Sequence, residues 1–441
     1  RGLGDVYKRQ GGDLLNRPPH EANVAEQTEH SINGGGLKFD YFSPNENHRF
    51  NVFASAQHIN RDSYYGPGDR DPLDAYGNTT DLNWMAGSQY VYSFGKCIFM
   101  PSDLTAGIEF NQDKLEDNMW GYNRTVDQKV NIGSAFLQNE WKNDHWGFLI
   151  GGRLDKHNLI NHVIFSPRAN LRYNPTENIN LRFSYSSGFR APQAFDEDLH
   201  VENVGGNVAM VELADNLKEE RSQSLSASAD IYHRFGAFQV NFLVEGFYTK
   251  LSDVFALTDG EVVDGILTRT RHNASGAQVM GLTLEGKMAY LNKIQVQAGV
   301  TLQQSHYSKP HIWNKEAPAV KKMMRTPNTY GYFTATYTPI KPLSIALSGT
   351  YTGSMLVPHE PVPGFLENPI TVNTKDFFDI GLKAAYDFKL YKSMNLQLNA
   401  GIQNIFNAYQ DDFDKGADRD SGYIYGPSLP RSFFAGVKIS Y

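Results

Sequence analysis

Five aspartates fall between positions 411 and 420, at Asp411, Asp412, Asp414, Asp418 and Asp420. Carboxylate oxygens are hard donors suited to calcium, but the run lacks the ligand order of an EF-hand loop, so a solvated acidic loop is the plainer reading. His306 and His311, with the pair Met323 and Met324, bring imidazole and thioether donors that suit a soft metal, at no fixed ligand spacing. Tyr64, Tyr65, Trp120, Tyr122 and Trp313 carry rings able to stack on a flat ligand face. Packing within loops accounts for each of them more simply. No Gly-x-Ser-x-Gly elbow, metalloprotease helix or phosphate loop occurs. Nothing therefore marks an enzyme, and no resident cofactor is called for.

The stretches that must position these residues have a strict two-residue period. From Lys293 to Gln304, Ile294, Val296, Ala298, Val300 and Leu302 share one face, and Gln295, Gln297, Gly299, Thr301 and Gln303 share the other. The pattern recurs from Phe238 to Tyr248, Leu282 to Tyr290, Leu343 to Tyr351 and Met394 to Gln403. Runs of about 10 residues are the length of a tilted strand crossing a bilayer, and exceed the roughly 5 to 6 of a soluble strand. Short connections rich in turn formers, such as Ser43 to Glu46, Asn143-Asp144, Asn174 to Thr176, Phe235-Gly236, Leu291-Asn292 and Pro339 to Lys341, alternate with long ones. The long ones are read at 62–81, 116–128, 189–220, 252–266, 307–326, 356–374 and 407–429, and they hold the residues named above.

Composition removes several classes. Hydrophobic residues are 40% of 441, and no run approaches the roughly 20 apolar residues of a membrane-spanning helix. The single cysteine, Cys97, excludes an intramolecular disulfide, and a net charge of -7 without a basic cluster argues against nucleic acid. Alternation alone leaves open which face looks outward, since a soluble sandwich hides its apolar face and a membrane barrel shows it to lipid. Aromatics at strand ends (Trp141, Trp146, Tyr290, Tyr351, Tyr391), polar opposite faces and a terminal stretch from Ser432 to Tyr441 that ends on an aromatic favour an all-β, antiparallel transmembrane barrel in a lipid bilayer. A passive porin-like barrel and a soluble all-β binding protein stand as alternatives. Counting hairpins back from Tyr441 gives about 17 strands. Arg1 to Gln10 (RGLGDVYKRQ) reads as a translated adapter artefact, and the fold expectation is confined to 11–441.

Four segments carry a family resemblance. Ser187-Gly188-Phe189-Arg190-Ala191-Pro192, the stretch Asn216 to Ser222, the stretch Asn273 to Leu282 with Glu285-Gly286, and Asn404-Ile405-Phe406-Asn407 with Tyr409 and the closing Arg431 to Tyr441 resemble, in that order, a TonB-dependent outer-membrane receptor of Bacteroidota style. The resemblance implies a barrel of 22 strands when whole, with a plug. A plug and about five strands would then precede this chain. It also implies active uptake of a scarce ligand, a metal chelate such as a ferric siderophore, haem or cobalamin, driven by the TonB-ExbB-ExbD complex in the outer membrane of a Gram-negative bacterium. Haem receptors of the family pair an F-R-A-P segment with a downstream N-P-N-L segment and place an iron-ligating histidine between them. Here Phe189 to Pro192 is followed by His200 and then by Ala214-Asp215-Asn216-Leu217, which lacks the proline. The resemblance thus makes His200 a candidate haem-iron ligand, although a lone loop histidine is more often a solvated bystander. Arg190 is a candidate ligand contact, but pairing with lumen carboxylates is the plainer reading, because the motif also occurs in receptors for other ligands.

Overall fold

The computed structural model describes residues 3–12, 17–22, 24–67, 71–122, 124–193, 208–263, 266–391, 393–415, 419–420, 422–427 and 429–441. Its first half holds strands β1 (Leu3–Gly12), β2 (Val24–Phe42), β3 (His48–Pro67), β4 (Tyr76–Cys97), β5 (Met100–Met119), β6 (Arg124–Lys142), β7 (Trp146–His157), β8 (Ile164–Thr176), β9 (Ile179–Arg190), β10 (Val208–Leu213) and β11 (Glu220–Phe235). The second half holds β12 (Phe238–Ser252), β13 (Phe255–Val263), β14 (Ile266–Asn273), β15 (Ala277–Tyr290), β16 (Ile294–His311), β17 (Val320–Lys322), β18 (Thr329–Ile340), β19 (Leu343–Thr352), β20 (Leu356–His359), β21 (Ile370–Asn373), β22 (Phe377–Tyr391), β23 (Met394–Gln403) and β24 (Ser432–Ser440). Three short 3-10 turns complete the described elements, and no helix among them is long and apolar enough to cross a membrane.

One antiparallel wall of 19 strands takes in all but β10, β13, β14, β20 and β21. The turns predict about 17 strands; the three-residue β17 and β1 bring the described wall to 19. β1 takes in most of the residues placed outside that expectation and pairs with β2 from Leu3↔Gly34 to Gly12↔Ala25. Two small sheets rise from the long connections: β10, β14 and β13 between β9 and β15, and the hairpin β20–β21 between β19 and β22.

The two faces of the wall explain its alternation. On β5, β6 and β7, Ile108 (63% exposed), Leu137 (56%) and Ile150 (62%) stand outward. On the opposite face Asp155 is 3% exposed, accepts a bond from the Ser134 hydroxyl at 2.6 Å and is paired with Arg153, which also reaches Glu109 at 3.3 Å. Farther along the wall, Thr283 and Thr301 share a hydrogen bond on that inner face while Leu282 and Leu302 point out. A water-soluble β-protein would put the apolar face inside; this polarity suits hydrocarbon outside and a wet or polar filling within.

Short turns gather at one end and aromatics mark that edge. Trp146 stacks on Tyr173 at 4.2 Å and on Phe148 at 5.7 Å, and Phe99 stacks on Trp141 at 5.6 Å. Asn143 closes its turn by accepting bonds from the amides of His145 and Trp146. Gly236, at the β11–β12 turn, has φ +57, a region where only glycine is at ease.

Two expected loops are largely strand. Tyr64 pairs with Tyr76 and Asp117 with Val126, so β3 to β6 run 19 to 22 residues, and the connections expected at 62–81 and 116–128 shrink to their tips. Outside lipid the outward face has no reason to be apolar, so pairing continues where the two-residue period fades. At the other end, Asn174 to Thr176 belongs to β8, and the turn lies at Glu177-Asn178.

Candidate ligand-binding surface

The long connections build the outer mouth, and each group of them is fastened differently. At the rim of β3 to β6, Tyr65, Met119 and Tyr122 form one buried cluster and Tyr64, Ala22, Ala25 and Ala75 another. Tyr64 and Tyr65 are each 1% exposed, so their ring faces are covered, whereas Trp120 next to them is 64% exposed. The Tyr122 hydroxyl donates to the Tyr65 carbonyl, and Met210 of β10 packs on the cluster from across the mouth. Beneath lies Asp117, fully buried: Thr79 donates to it at 2.5 Å, Arg124 pairs with it at 2.7 Å and Arg61 at 3.7 Å. Burial pushes the Tyr64 phenol up to about 12.

At the exit of β9, Arg190 lies 3.9 Å from Glu220 and 5.9 Å above the Phe255 ring. Arg271 approaches the same ring at 6.0 Å, tying β13 and β14 to the wall. His157 is buried, and burial pulls its pKa below the ordinary imidazole value. Its Nδ1 accepts the Leu159 amide at 3.0 Å, so its Nε2 carries the proton and faces the Gln193 side-chain oxygen at 3.4 Å. Glu219, though raised by burial, is held below the usual carboxylate range by its backbone bond, Arg221 and His162. His200 lies outside the described residues.

The last three connections are cross-linked by polar groups. His359 at the end of β20 stacks on Tyr423 at 3.8 Å and meets Asp414 at 2.9 Å. Asp420 accepts the Glu360 amide, Asn314 donates to Glu360, and Arg325 donates to the carbonyls of Gly422 and Ile424. Tyr423 and Tyr425 both donate to Asp412, and Lys375 pairs with Asp411. Burial, then Asp412, pushes Tyr423 up to about 12 and Tyr425 higher still. Three of the five aspartates (Asp411, Asp414 and Asp420) thus fasten one connection to another, Asp412 braces its own connection, and Asp418 lies outside the described residues. Among the described residues no group of three or more His, Cys, Asp or Glu could hold a metal. His306 pairs with Lys322 in the ladder, and His311 stacks on Tyr307 at 4.7 Å, so the structure does not gather the two histidines on one ligand set. Trp313 is half-buried, and its indole N–H has no hydrogen-bond partner.

Sequence reading did not find His359, Tyr423, Tyr425, Met210 or Asp117. Each is ordinary in its local pattern, and most gain meaning from partners far along the chain, as Asp117 does from Thr79 and His359 from Asp414, which no spacing encodes.

The chain matches a family model described as TonB dependent receptor-like, beta-barrel, over residues 3–405. The chain belongs to that family. No curated relative matches the sequence. Among solved structures, this TonB dependent receptor-like barrel is similar to the siderophore receptor PirA from Acinetobacter baumannii (15% identity, TM-score 0.67, 93% of this chain and 62% of that one). It is also similar to the ferric-catecholate import receptor Fiu from E. coli K12 (13%, 0.66, 94% and 64%) and to the iron transporter FrpB from Neisseria meningitidis (15%, 0.69, 99% and 69%). At such identity the likeness shows the fold, and the chain spans less than two thirds of the PirA and Fiu chains.

Proposed function

We propose that this TonB dependent receptor-like barrel lies in the outer membrane of a Gram-negative bacterium and serves the active uptake of a scarce metal chelate, a ferric siderophore, haem or cobalamin. Energy would come through the TonB-ExbB-ExbD complex, by way of a plug and TonB box preceding this chain. The reading rests on one observation: an apolar outer face backs a face of ion pairs and hydrogen bonds, and the long connections at one end are fastened to one another. A passive pore needs no such fastening. Structures of similar fold described as siderophore or iron receptors support the ligand class. At the mouth, the open ring of Trp120 and the unpartnered indole N–H of Trp313 are the aromatic contacts a chelate could meet, with Arg190 holding the base of the loop that carries His200.

The test is growth of a strain lacking the gene on ferric siderophore, haem or cobalamin as the sole source, with and without TonB. Loss of growth on one source, reproduced by loss of TonB, is expected. Growth unaffected by either deletion overturns the reading. Haem has its own readout: a Soret band on addition to the full-length receptor, shifted by His200→Ala. No spectral change at micromolar haem removes haem and leaves the transporter.

A further inference from the structure

On its outer side the wall from β9 to β16 carries a groove of about 880 Å³. One row of ladder partners crosses it, Phe183, Ala227, Gly246, Leu282 and Leu302. Ala227 and Gly246 make the floor, and a Cβ added at Gly246 would meet nothing within 4 Å. Phe183, Leu282 and Leu302 stand exposed beside it. Two residues toward the outer loops, on the same face, the row becomes Leu225, Tyr248, Met280 and Gln304, and Asn328 and Thr329 close the groove at that end. Two further residues up, the partners are Gln223, Lys250, Gln278, His306 and Lys322, with no acid among them. Among the described residues Lys250, His306 and Lys322 take part in no ion pair. Glu219, the carboxylate above this face, is already held by Arg221 and His162.

We propose that the groove and the row above it bind one phosphate-bearing lipid of the outer leaflet, its acyl chain along the Ala227 and Gly246 floor and its phosphate against Lys250, Lys322 and His306. The order of chemistry along the face carries the assignment. Apolar surface lies toward the bilayer centre, a mixed row of apolar and uncharged polar groups comes next, and cations stand at the outer edge, which follows the order of parts in an outer-leaflet lipid. A neutral lipid would leave the cations without purpose, and a free anion would not need the groove. The inference rests on the outer-membrane reading above.

Lipid retention by the full-length, detergent-extracted receptor tests it, with native mass spectrometry after exchange into phosphatidic acid or chain-matched diacylglycerol. Phosphatidic acid is expected to be retained over diacylglycerol. Lys250→Gln with Lys322→Gln should cut its retention about tenfold, because each surface cation attracts an anionic lipid by roughly one decimal order or less. Gly246→Leu, which fills the floor, should lower retention of both lipids. If that variant does not fold, the lysine pair, exposed or half-exposed, decides alone. Unchanged retention in the folded lysine variant overturns the site, as does full displacement of the lipid by inorganic phosphate. A receptor that fractionates away from membranes fails the outer-membrane reading itself; a membrane-embedded receptor indifferent to the lysines fails only this inference.

Discussion

At the rim of β3 to β6 the chain is closed by apolar clusters over one buried carboxylate, whereas the connections that follow β16 are closed by phenols, carboxylates, an imidazole and a guanidinium bonded across three loops. The first arrangement is tight because water is absent: Asp117 has nowhere to find a substitute for Arg124 or Arg61. In the second, many of the bonds are partly solvated, so each is individually replaceable by water. Loops that must yield to a ligand are better served by the second kind of fastening, and loops that must stay put by the first.

Replacing Asp117 by Ala strikes the first rim hardest. Arg124 and Arg61 would lose this buried carboxylate, and breaking a buried pair costs about 3–5 kcal/mol. Urea unfolding of the receptor in micelles should show a loss of that order; a loss below about 1 kcal/mol would mean that water reaches the site and that the two rims are alike.

His359→Ala addresses the second fastening. It removes the stack on Tyr423 and the bond to Asp414, and a buried hydrogen bond lost with its partner left behind costs about 1–3 kcal/mol. Hydrogen exchange should quicken across β20 and the Tyr423 segment while the β3 to β6 rim keeps its protection. Equal quickening at both would dissolve the distinction between them.

The smallest effect is alkaline. Tyr64 and Tyr423 are both pushed up to about 12 from an ordinary 10.0, so each contributes stability that is whole below pH 10 and is lost as pH rises toward 12. The causes differ beyond burial: Asp412 adds to the shift at Tyr423, and no carboxylate acts on Tyr64. Asp412→Asn should therefore lower the phenol titration of Tyr423, followed by ultraviolet difference absorbance, and leave that of Tyr64 unmoved.

The wall was readable in the amino-acid order because lipid on one face and polar groups on the other force a two-residue period, and β16 and β24 begin close to where that period places them. The same rule fails above the membrane. Tyr64, Tyr65 and Tyr122 look like loop aromatics in a linear reading, yet Tyr64 and Tyr65 lie in a continued ladder, Tyr122 in a short 3-10 turn, and all three in packed clusters. The aspartates from 411 to 420 present an acidic run along the chain, and only the return of β20 to that loop brings His359 against Asp414. Such contacts join connections far apart along the chain, which no local pattern records.

β4 runs for 22 residues without a break. At about 3.3 Å per residue and a tilt near 40° it climbs roughly 55 Å, about twice the apolar band of an outer-membrane barrel. One strand therefore lives under two sets of rules. In its lower half an outward charge opposes insertion; in its upper half the same change meets only water. Tolerance to substitution should therefore shift midway along this single element, from strict within the apolar band to permissive above it.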